Sequence, residues 1–384
     1  MKTVYVAMSG GVDSSVAAAL LSAQGGSASG GKKYRVVGVY FKPWSPNHAT
    51  CSMNHVSGKA DHNAACSMLH APCQWQQDRL DAMRVATKLG IEFKTWDFSK
   101  EYGKEVAEYM IRGYRAGITP NPDVMCNKEI KFGIFLKKAL AEGADYIATG
   151  HYARIHEARN MKHGTTKQFK LLKGIDTNKD QSYFLWTLTQ DQLKHSLFPI
   201  GEYTKPKVRA MAKKFGLPTF DKKDSQGVCF VGELNMKDFL EEYIRPKPGD
   251  IILKESGDKI GKHDGFYYYT IGQRHGLDIK TGGGPYYVVA KDVRKNIIYV
   301  ATTNEKPIAQ SAKLKNVHWI TGQPKLPMNL AVQIRYRSPL VSARIELYAS
   351  RFTLYARQPL EAVAEGQSAV FYRGAEVLGG GILM

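Results

Sequence analysis

The stretch that most constrains the fold lies near the start of the chain. There the apolar run Val4-Tyr5-Val6-Ala7-Met8 meets Ser9-Gly10-Gly11-Val12-Asp13-Ser14-Ser15 and then Val16-Ala17-Ala18-Ala19-Leu20-Leu21. Strong helix formers with no breaker before Gly25 predict a unit of strand, glycine turn and helix. A helix N-terminus reached through glycines is receptive to anions, because its first amides lack partners and carry the positive end of the helix dipole. The loop has neither the Gly-Lys-Ser/Thr ending of a Walker A loop nor the Gly-x-Gly-x-x-Gly spacing of a dinucleotide fold, so a different phosphate cradle is expected. Two glycines admit an anion close to the backbone, and the serine hydroxyls add donors that suit a pyrophosphate. Asp13 would repel that anion unless it caps the helix amides or faces a magnesium ion. An ordinary strand-to-helix turn would draw on the same residue types.

The pattern then repeats. Tyr34 to Phe41 reads as a second strand, Asp78 to Leu89 as a helix, Glu92 to Phe98 as a strand, and Glu101 to Tyr114 as a helix. Lys131 to Glu142 predicts a helix ending at Gly143, followed by a strand over Ala144 to Thr149, and Thr204 to Phe215 another helix with Thr204 as N-cap and Pro206 in its first turn. Alternation of this kind predicts an α/β fold, a doubly wound parallel sheet with its site at the carboxyl ends of the strands. From about Gly249 short β-rich runs separated by Gly, Pro and Asn take over, as in a small antiparallel barrel. The division expected is 1–234 for the α/β domain, 235–287 for a small β-rich central domain and 288–384 for the barrel.

Net charge narrows the partner. Lys plus Arg number 54 against 35 Asp plus Glu, a formal charge of +19, and so large an excess points to a polyanion such as nucleic acid. Residues 285–384 alone carry 13 Lys/Arg against 6 Asp/Glu. No run is long and apolar enough to span a bilayer, and the first residues read as a core strand rather than a targeting peptide. Five scattered cysteines, Cys51, Cys66, Cys73, Cys126 and Cys229, do not make a disulfide scaffold, and a reducing cytoplasm is the expected compartment.

Two of those cysteines stand in suggestive surroundings. Thr119-Pro120-Asn121-Pro122-Asp123-Val124-Met125-Cys126 places a carboxylate three residues before a thiol with Lys128 and Lys131 just beyond, and Lys222-Lys223-Asp224-Ser225-Gln226-Gly227-Val228-Cys229 repeats the theme. Prolines and glycine suggest extended loops carrying reactive thiols; the competing reading makes each cysteine a small buried hydrophobe.

Six segments in one order extend the argument over nearly the whole chain. They are Ser-Gly-Gly-Val-Asp-Ser-Ser, Asn-Pro-Asp-Val-Met-Cys-Asn-Lys-Glu-Ile-Lys-Phe, Ala-Thr-Gly-His-Tyr-Ala (148–153), Lys-Asp-Gln-Ser-Tyr-Phe-Leu (179–185), Asp-Ser-Gln-Gly-Val-Cys-Phe and Tyr-Thr-Ile-Gly-Gln-Arg (269–274). The first resembles the PP-loop of the ATP pyrophosphatases, and the set together resembles the tRNA-specific 2-thiouridylases, the MnmA/TrmU family. That resemblance implies ATP-dependent, magnesium-assisted conversion of the wobble uridine in tRNAs for Lys, Glu and Gln to 2-thiouridine. It implies ATP contacts at Ala7, Met8, Ser9, Gly10, Gly11, Val12, Asp13, Ser14, Phe41 and Gly150, with Phe41 standing where the family usually has a methionine. It implies that Cys229 carries a persulfide, that Cys126 attacks it and leaves a Cys126–Cys229 disulfide, and that Asp123 works as general acid/base or orienter at the base. Its tRNA contacts map onto Asn121, Pro122, Asp123, His151, Lys179, Asp180, Gln181, Arg335, Tyr336 and Gln367. A persulfide donor such as a cysteine desulfurase or a sulfur-relay protein is implied as partner, and a monomer is expected.

Residues 45–73 look like an insertion. They hold Cys51, His55, His62, Cys66, His70 and Cys73, a set able to bind zinc, although no paired Cys-x-x-Cys is present and metal is not the favoured reading. An iron–sulfur site using Cys126 and Cys229 is a further alternative. The competing function is a PP-loop synthetase that activates a small-molecule carbonyl for amination, which has no need of the two cysteines. A non-enzymatic RNA-binding module that merely keeps an ATP fold is a third reading.

Overall fold

The computed structural model describes residues 1–23, 34–42, 44, 74–159, 167–224, 236–302 and 308–384. The insertion with its Cys/His set, and the segment that contains Cys229, lie outside the described residues.

In chain order the first strands are β1 (Lys2–Ala7), β2 (Tyr34–Lys42), β3 (Glu92–Asp97), β4 (Tyr146–Ala148), the hairpin β5 (Ala153–Arg159) and β6 (Lys167–Lys173), and the short β7 (Ser196–Leu197). A five-stranded sheet runs β3-β2-β1-β4-β7, and every pairing in it is parallel. A parallel sheet covered on both faces needs strands that are apolar on both, and the period of two then sorts residues between the layers. Val4, Val6 and Met8 enter one core with the helix α1 (Val12–Ala23). Tyr5 and Ala7 enter the other with Val124, Cys126, Ile130 and Phe135. Strand β2 divides in the same way, Val36 and Tyr40 on the first face, Val37, Val39 and Phe41 on the second. The doubly wound α/β expectation is met.

Two differences concern local structure. The segment 119–132, expected as an extended loop, is helical from Pro122. Asn121 caps it by accepting the Val124 amide at 3.2 Å, and Pro122 occupies the first turn, where a missing N–H costs nothing. From Cys126 to Phe135 the helix is π-helical, a rare widened form frequent at functional sites. Cys126 is therefore on a helix and not on a loop. The second difference is the start of the barrel. Strands β8 (Gly249–Leu253), β9 (Lys259–His263), β10 (Tyr287–Asp292) and β11 (Ile297–Ala301) form one four-stranded sheet in the order β10-β11-β8-β9. Residues 288–301, expected in the barrel, thus pair inside the central domain. Their β-branched sequence specifies a strand but not its neighbour.

The barrel consists of β12 (Ile308–Trp319), β13 (Met328–Gln333), β14 (Val341–Tyr348), β15 (Arg351–Glu361), β16 (Ser368–Arg373) and β17 (Glu376–Leu383). These run β12-β15-β14-β13-β16-β17 and close through β12–β17, so no edge remains to be covered. Strand β6 of the first domain pairs with β17 through Leu172–Glu376 and Leu171–Val377. The seam is polar as well as apolar: Trp186 Nε1 donates to Ser368 Oγ at 3.1 Å, and Tyr183 Oη donates to the Ser368 carbonyl at 2.9 Å. Ser368→Ala would leave the buried indole N–H without a partner, and we expect a loss of about 1–3 kcal/mol in chemical denaturation, with the tryptophan emission reporting the transition.

Candidate active site

Strand order reverses between β1 and β4, and the carboxyl ends of strands at such a switch point are where open α/β sheets bind their ligands. The loops leaving both strands belong to the sequence motifs. After β1, Gly10 has φ +74°, a left-handed conformation that glycine adopts without strain, and a Cβ there would lie 2.2 Å from the Asp78 carbonyl oxygen. After β4, a Cβ on Gly150 would lie 2.7 Å from the Ser14 nitrogen, so the second loop rests directly on the first turn of α1. Inside the PP-loop the hydroxyls of Ser14 and Ser15 donate to the Gly11 carbonyl at 3.2 and 2.7 Å, and the Ser9 amide donates to Ser14 Oγ at 3.1 Å. These bonds brace the loop so that its shape is preset. Ala7 and Met8 are buried at the end of β1. Phe41, buried at the end of β2, packs against Phe98 and Phe135 with ring centroids 5.8 and 5.3 Å apart.

Asp13 has partners that the sequence did not announce. Lys205 Nζ lies 2.9 Å from each of its oxygens, and Tyr152 Oη donates to it at 2.8 Å. Lys205 is also 2.8 Å from Asp224, whose carboxylate further receives Lys179 at 2.6 Å and Arg209 at 2.7 Å. Burial works to raise the Asp224 carboxyl, but hydrogen bonds from Lys179 and Lys205 outweigh it and hold the group below the ordinary carboxylate range. One part of this cluster leaves a signal in the sequence. Lys205 and Arg209 are four apart on the helix Lys205–Lys214, a spacing that puts both cations on one face. Thr204 is the N-cap residue but makes no side-chain capping bond; the Lys205 amide donates instead to Asp176 at 2.7 Å.

The thiol and carboxylate sit on the opposite layer. Cys126 is 0% exposed and Asp123 is half-buried in the turn before it. The backbone leading into this helix is held by the other domains. The Thr119 amide donates to the Glu365 carbonyl at 2.9 Å, and Gln367 Nε2 donates to the carbonyls of Thr119 and Pro120 at 3.0 and 3.1 Å. Thr119 Oγ1 donates to Thr270 Oγ1 at 3.3 Å, and Lys291 Nζ donates to the carbonyls of Gly117 and Tyr269. Burial pushes the Lys291 ammonium down to about 8.

The remaining residues assigned to tRNA by resemblance fall into two groups. His151 is 6% exposed, with Nδ1 2.6 Å from Thr149 Oγ1 and its ring between Phe132 and Phe198. Asp180 accepts the amides of Gly174 and Ser182, Gln181 accepts the Tyr152 amide, and Lys179 is engaged by Asp224. Burial raises the Asp180 carboxyl. Lys179, Asp180 and Gln181 fasten the turn that follows β6, whereas His151 is held in the loop after β4. Arg335 donates to the carbonyls of Ile271 and Ala362 at 2.9 and 3.3 Å, and Tyr336 packs on Phe184 with centroids 4.5 Å apart. Those two, with Gln367, join barrel, central domain and catalytic domain. Among the described residues no cluster of His, Cys, Asp and Glu could hold a metal ion by itself, and no helix is long and apolar enough to cross a membrane.

A braced anion cradle at the switch point of a parallel sheet, with a buried cysteine on the facing helix layer and two β domains packed onto that layer, defines a nucleotide-using enzyme of the PP-loop class. Comparison with known proteins gives the family. Residues 2–233 match the model described as tRNA methyl transferase HUP domain. Residues 237–302 match its PRC-barrel domain, and 309–383 the aminomethyltransferase beta-barrel domain. A tRNA-specific 2-thiouridylase MnmA of Geobacillus thermodenitrificans is 43% identical over 99% of this chain and 94% of its own. One from Bacillus cytotoxicus is 42% identical over 98% and 93%. Among solved structures, the U34-tRNA thiolase NcsA from Methanococcus maripaludis with its [4Fe-4S] cluster covers 63% of this chain and 64% of its own at 16% identity, with a TM-score of 0.34, too remote to bear on the site. The chain belongs to the tRNA-specific 2-thiouridylase (MnmA) family.

Burial, reinforced by the Lys131 charge, drives the His151 imidazole well below the ordinary histidine value. A depressed folded value means that the neutral ring's contribution to stability is complete above the unfolded value of about 6.5 and is lost as pH falls toward the folded one. Between about pH 7 and pH 5 the melting temperature of the wild-type chain should fall more than that of His151→Gln, which cannot take up the proton. Equal slopes would show that His151 is not the group responsible.

Proposed function

We propose that this protein uses ATP to adenylate the C2 oxygen of the wobble uridine in the anticodon loop of tRNAs for Lys, Glu and Gln, and replaces that oxygen with sulfur. The observation that carries the nucleotide half is the preset loop at the β1–β4 crevice, where Gly10, Gly11 and the first turn of α1 offer amides to a polyphosphate. The amide-like C2 carbonyl has a poor leaving group, and attack by its oxygen on the α-phosphorus, with loss of pyrophosphate, converts that oxygen into part of AMP. Magnesium suits this site as a companion of the phosphates, since it commonly needs only one or two protein carboxylates, and Asp13 supplies one. Bound there, it would neutralise charge on the phosphate oxygens.

Sulfur then displaces AMP. A persulfide on Cys229, received from a donor such as a cysteine desulfurase or a sulfur-relay protein, supplies the atom. Cys126 thiolate attacks the inner sulfur of that persulfide, the S–S bond breaks toward the outer sulfur, and the outer sulfur adds to C2 as AMP departs with the C–O bonding pair. A Cys126–Cys229 disulfide remains, which an external thiol must reduce before the next cycle. Burial of Cys126 protects the thiol from bulk oxidants, so the turn Pro122–Met125 must yield when sulfur is delivered. Asp123 in that turn takes or orients the proton at the base. The excess of basic residues holds the tRNA phosphates, and the flexible anticodon loop allows the uridine to be splayed out. The reaction runs in the cytoplasm on a monomer.

Incubation with unmodified tRNA, ATP, magnesium and a persulfide source, followed by nucleoside mass analysis, should yield 2-thiouridine with AMP and pyrophosphate. Folded protein that releases no pyrophosphate and forms no 2-thiouridine would refute the proposal. The roles of the thiols separate in the same assay: Cys229→Ser should abolish transfer of labelled sulfur to the protein, whereas Cys126→Ser should accept the label and fail to turn over. Label held by Cys126 in the Cys229→Ser variant would reverse the two roles.

A further inference from the structure

The bonds of Lys205 raise a question that the phosphate cradle alone does not answer. Its ammonium touches both oxygens of Asp13, in the first turn of the helix that would receive the phosphates, and one oxygen of Asp224. The side chain is one-tenth exposed. We propose that Lys205 is a polyphosphate ligand of the PP-loop, held by Asp13 and Asp224 before the nucleotide arrives and turned to phosphate oxygens when ATP enters. The inference rests on the ATP-dependent reading above and adds to it a residue that no motif named.

Three features support the exchange. Neither carboxylate is stranded when the ammonium leaves, because Asp13 keeps the Tyr152 hydroxyl and Asp224 keeps Lys179 and Arg209. Of the three cations on Asp224, Lys179, Lys205 and Arg209, it is Lys205 that also reaches Asp13 in the phosphate-receiving turn, so it is the one placed to meet an incoming anion. Lastly, Lys205 is the first residue of its helix, with its amide fixed by Asp176 and Pro206 following. Its base is therefore rigid while the four-carbon stem can swing, which suits a point-charge phosphate ligand.

The test is equilibrium binding of a non-hydrolysable ATP analogue, with magnesium, to the full chain. Lys205→Met should weaken the analogue by about tenfold or more, the scale of one charge-assisted contact, while tRNA affinity is retained and Lys205→Arg recovers part of the loss. Unchanged analogue affinity with a lowered melting temperature would make Lys205 a structural staple and overturn the proposal. Should Lys205→Met fail to fold, Asp224→Asn decides the matter by sign. Loosening the ammonium should tighten the analogue, whereas an unchanged or weakened affinity overturns the proposal. A wild-type chain that passes these binding tests yet makes no 2-thiouridine would refute the thiolation reading and leave the role of Lys205 intact.

Discussion

The turn at residues 117–121 is the constraint on which the rest of the arrangement depends. It enters the helix that carries Asp123 and Cys126, and it is held by groups from both of the other domains: Glu365 and Gln367 from the barrel, Thr270 and Lys291 from the central domain. Backbone carbonyls in so enclosed a place need donors, and here the donors are side chains of elements distant in sequence. The consequence is functional. The barrel sits at a fixed offset from the thiol, because the same few bonds that satisfy the turn also set that offset.

Much of the fold was legible because alternating runs encode layers. The two faces of β1 and β2 sort their residues into separate cores as a period of two requires, and the glycine turn identified the crevice loop. Pairing was less legible. Strands β10 and β11 read as strands, yet nothing in their composition says that they join β8 rather than the barrel. The helix at Pro122 departs from the extended path that two prolines suggest, because Asn-Pro at a helix start supplies the cap and the first-turn residue at once. The π-helical stretch that follows has no sequence signature of its own, although Gly133, where a Cβ would lie 2.9 Å from the Lys128 carbonyl oxygen, shows where the chain needed room.

The site was legible as motifs and illegible as a network. Spacing and resemblance single out Gly10, Gly150, Asp123 and Cys126, each within its own segment. What joins segments is not in the motifs: Lys205, Arg209 and Asp224 are near one another in sequence, but Lys205 meets Asp13 across 192 positions, and a list of local motifs cannot register such a bond. His151, Asp180 and Gln181 make the converse point. Resemblance assigns them to tRNA, and their side chains are engaged within the protein, His151 with the Thr149 hydroxyl, Gln181 with the Tyr152 amide and Asp180 with the amides of Gly174 and Ser182.

Net charge deserves the same distinction between composition and placement. The excess of +19 suggested a polyanionic partner, but several of the cations are committed inside the protein. Lys222 is paired with Asp78 and Asp81, Lys179 and Arg209 with Asp224, and Lys291 and Arg335 are bonded to carbonyls between domains. Cations bound to carboxylates cancel locally and those on carbonyls add to the field without being free to move onto a phosphate. The groups that meet RNA must therefore come largely from the exposed remainder. Lys291 and Arg335, committed in this way, keep the domains in register, which is what the chemistry needs if a base held by one part is to meet ATP and sulfur held by another.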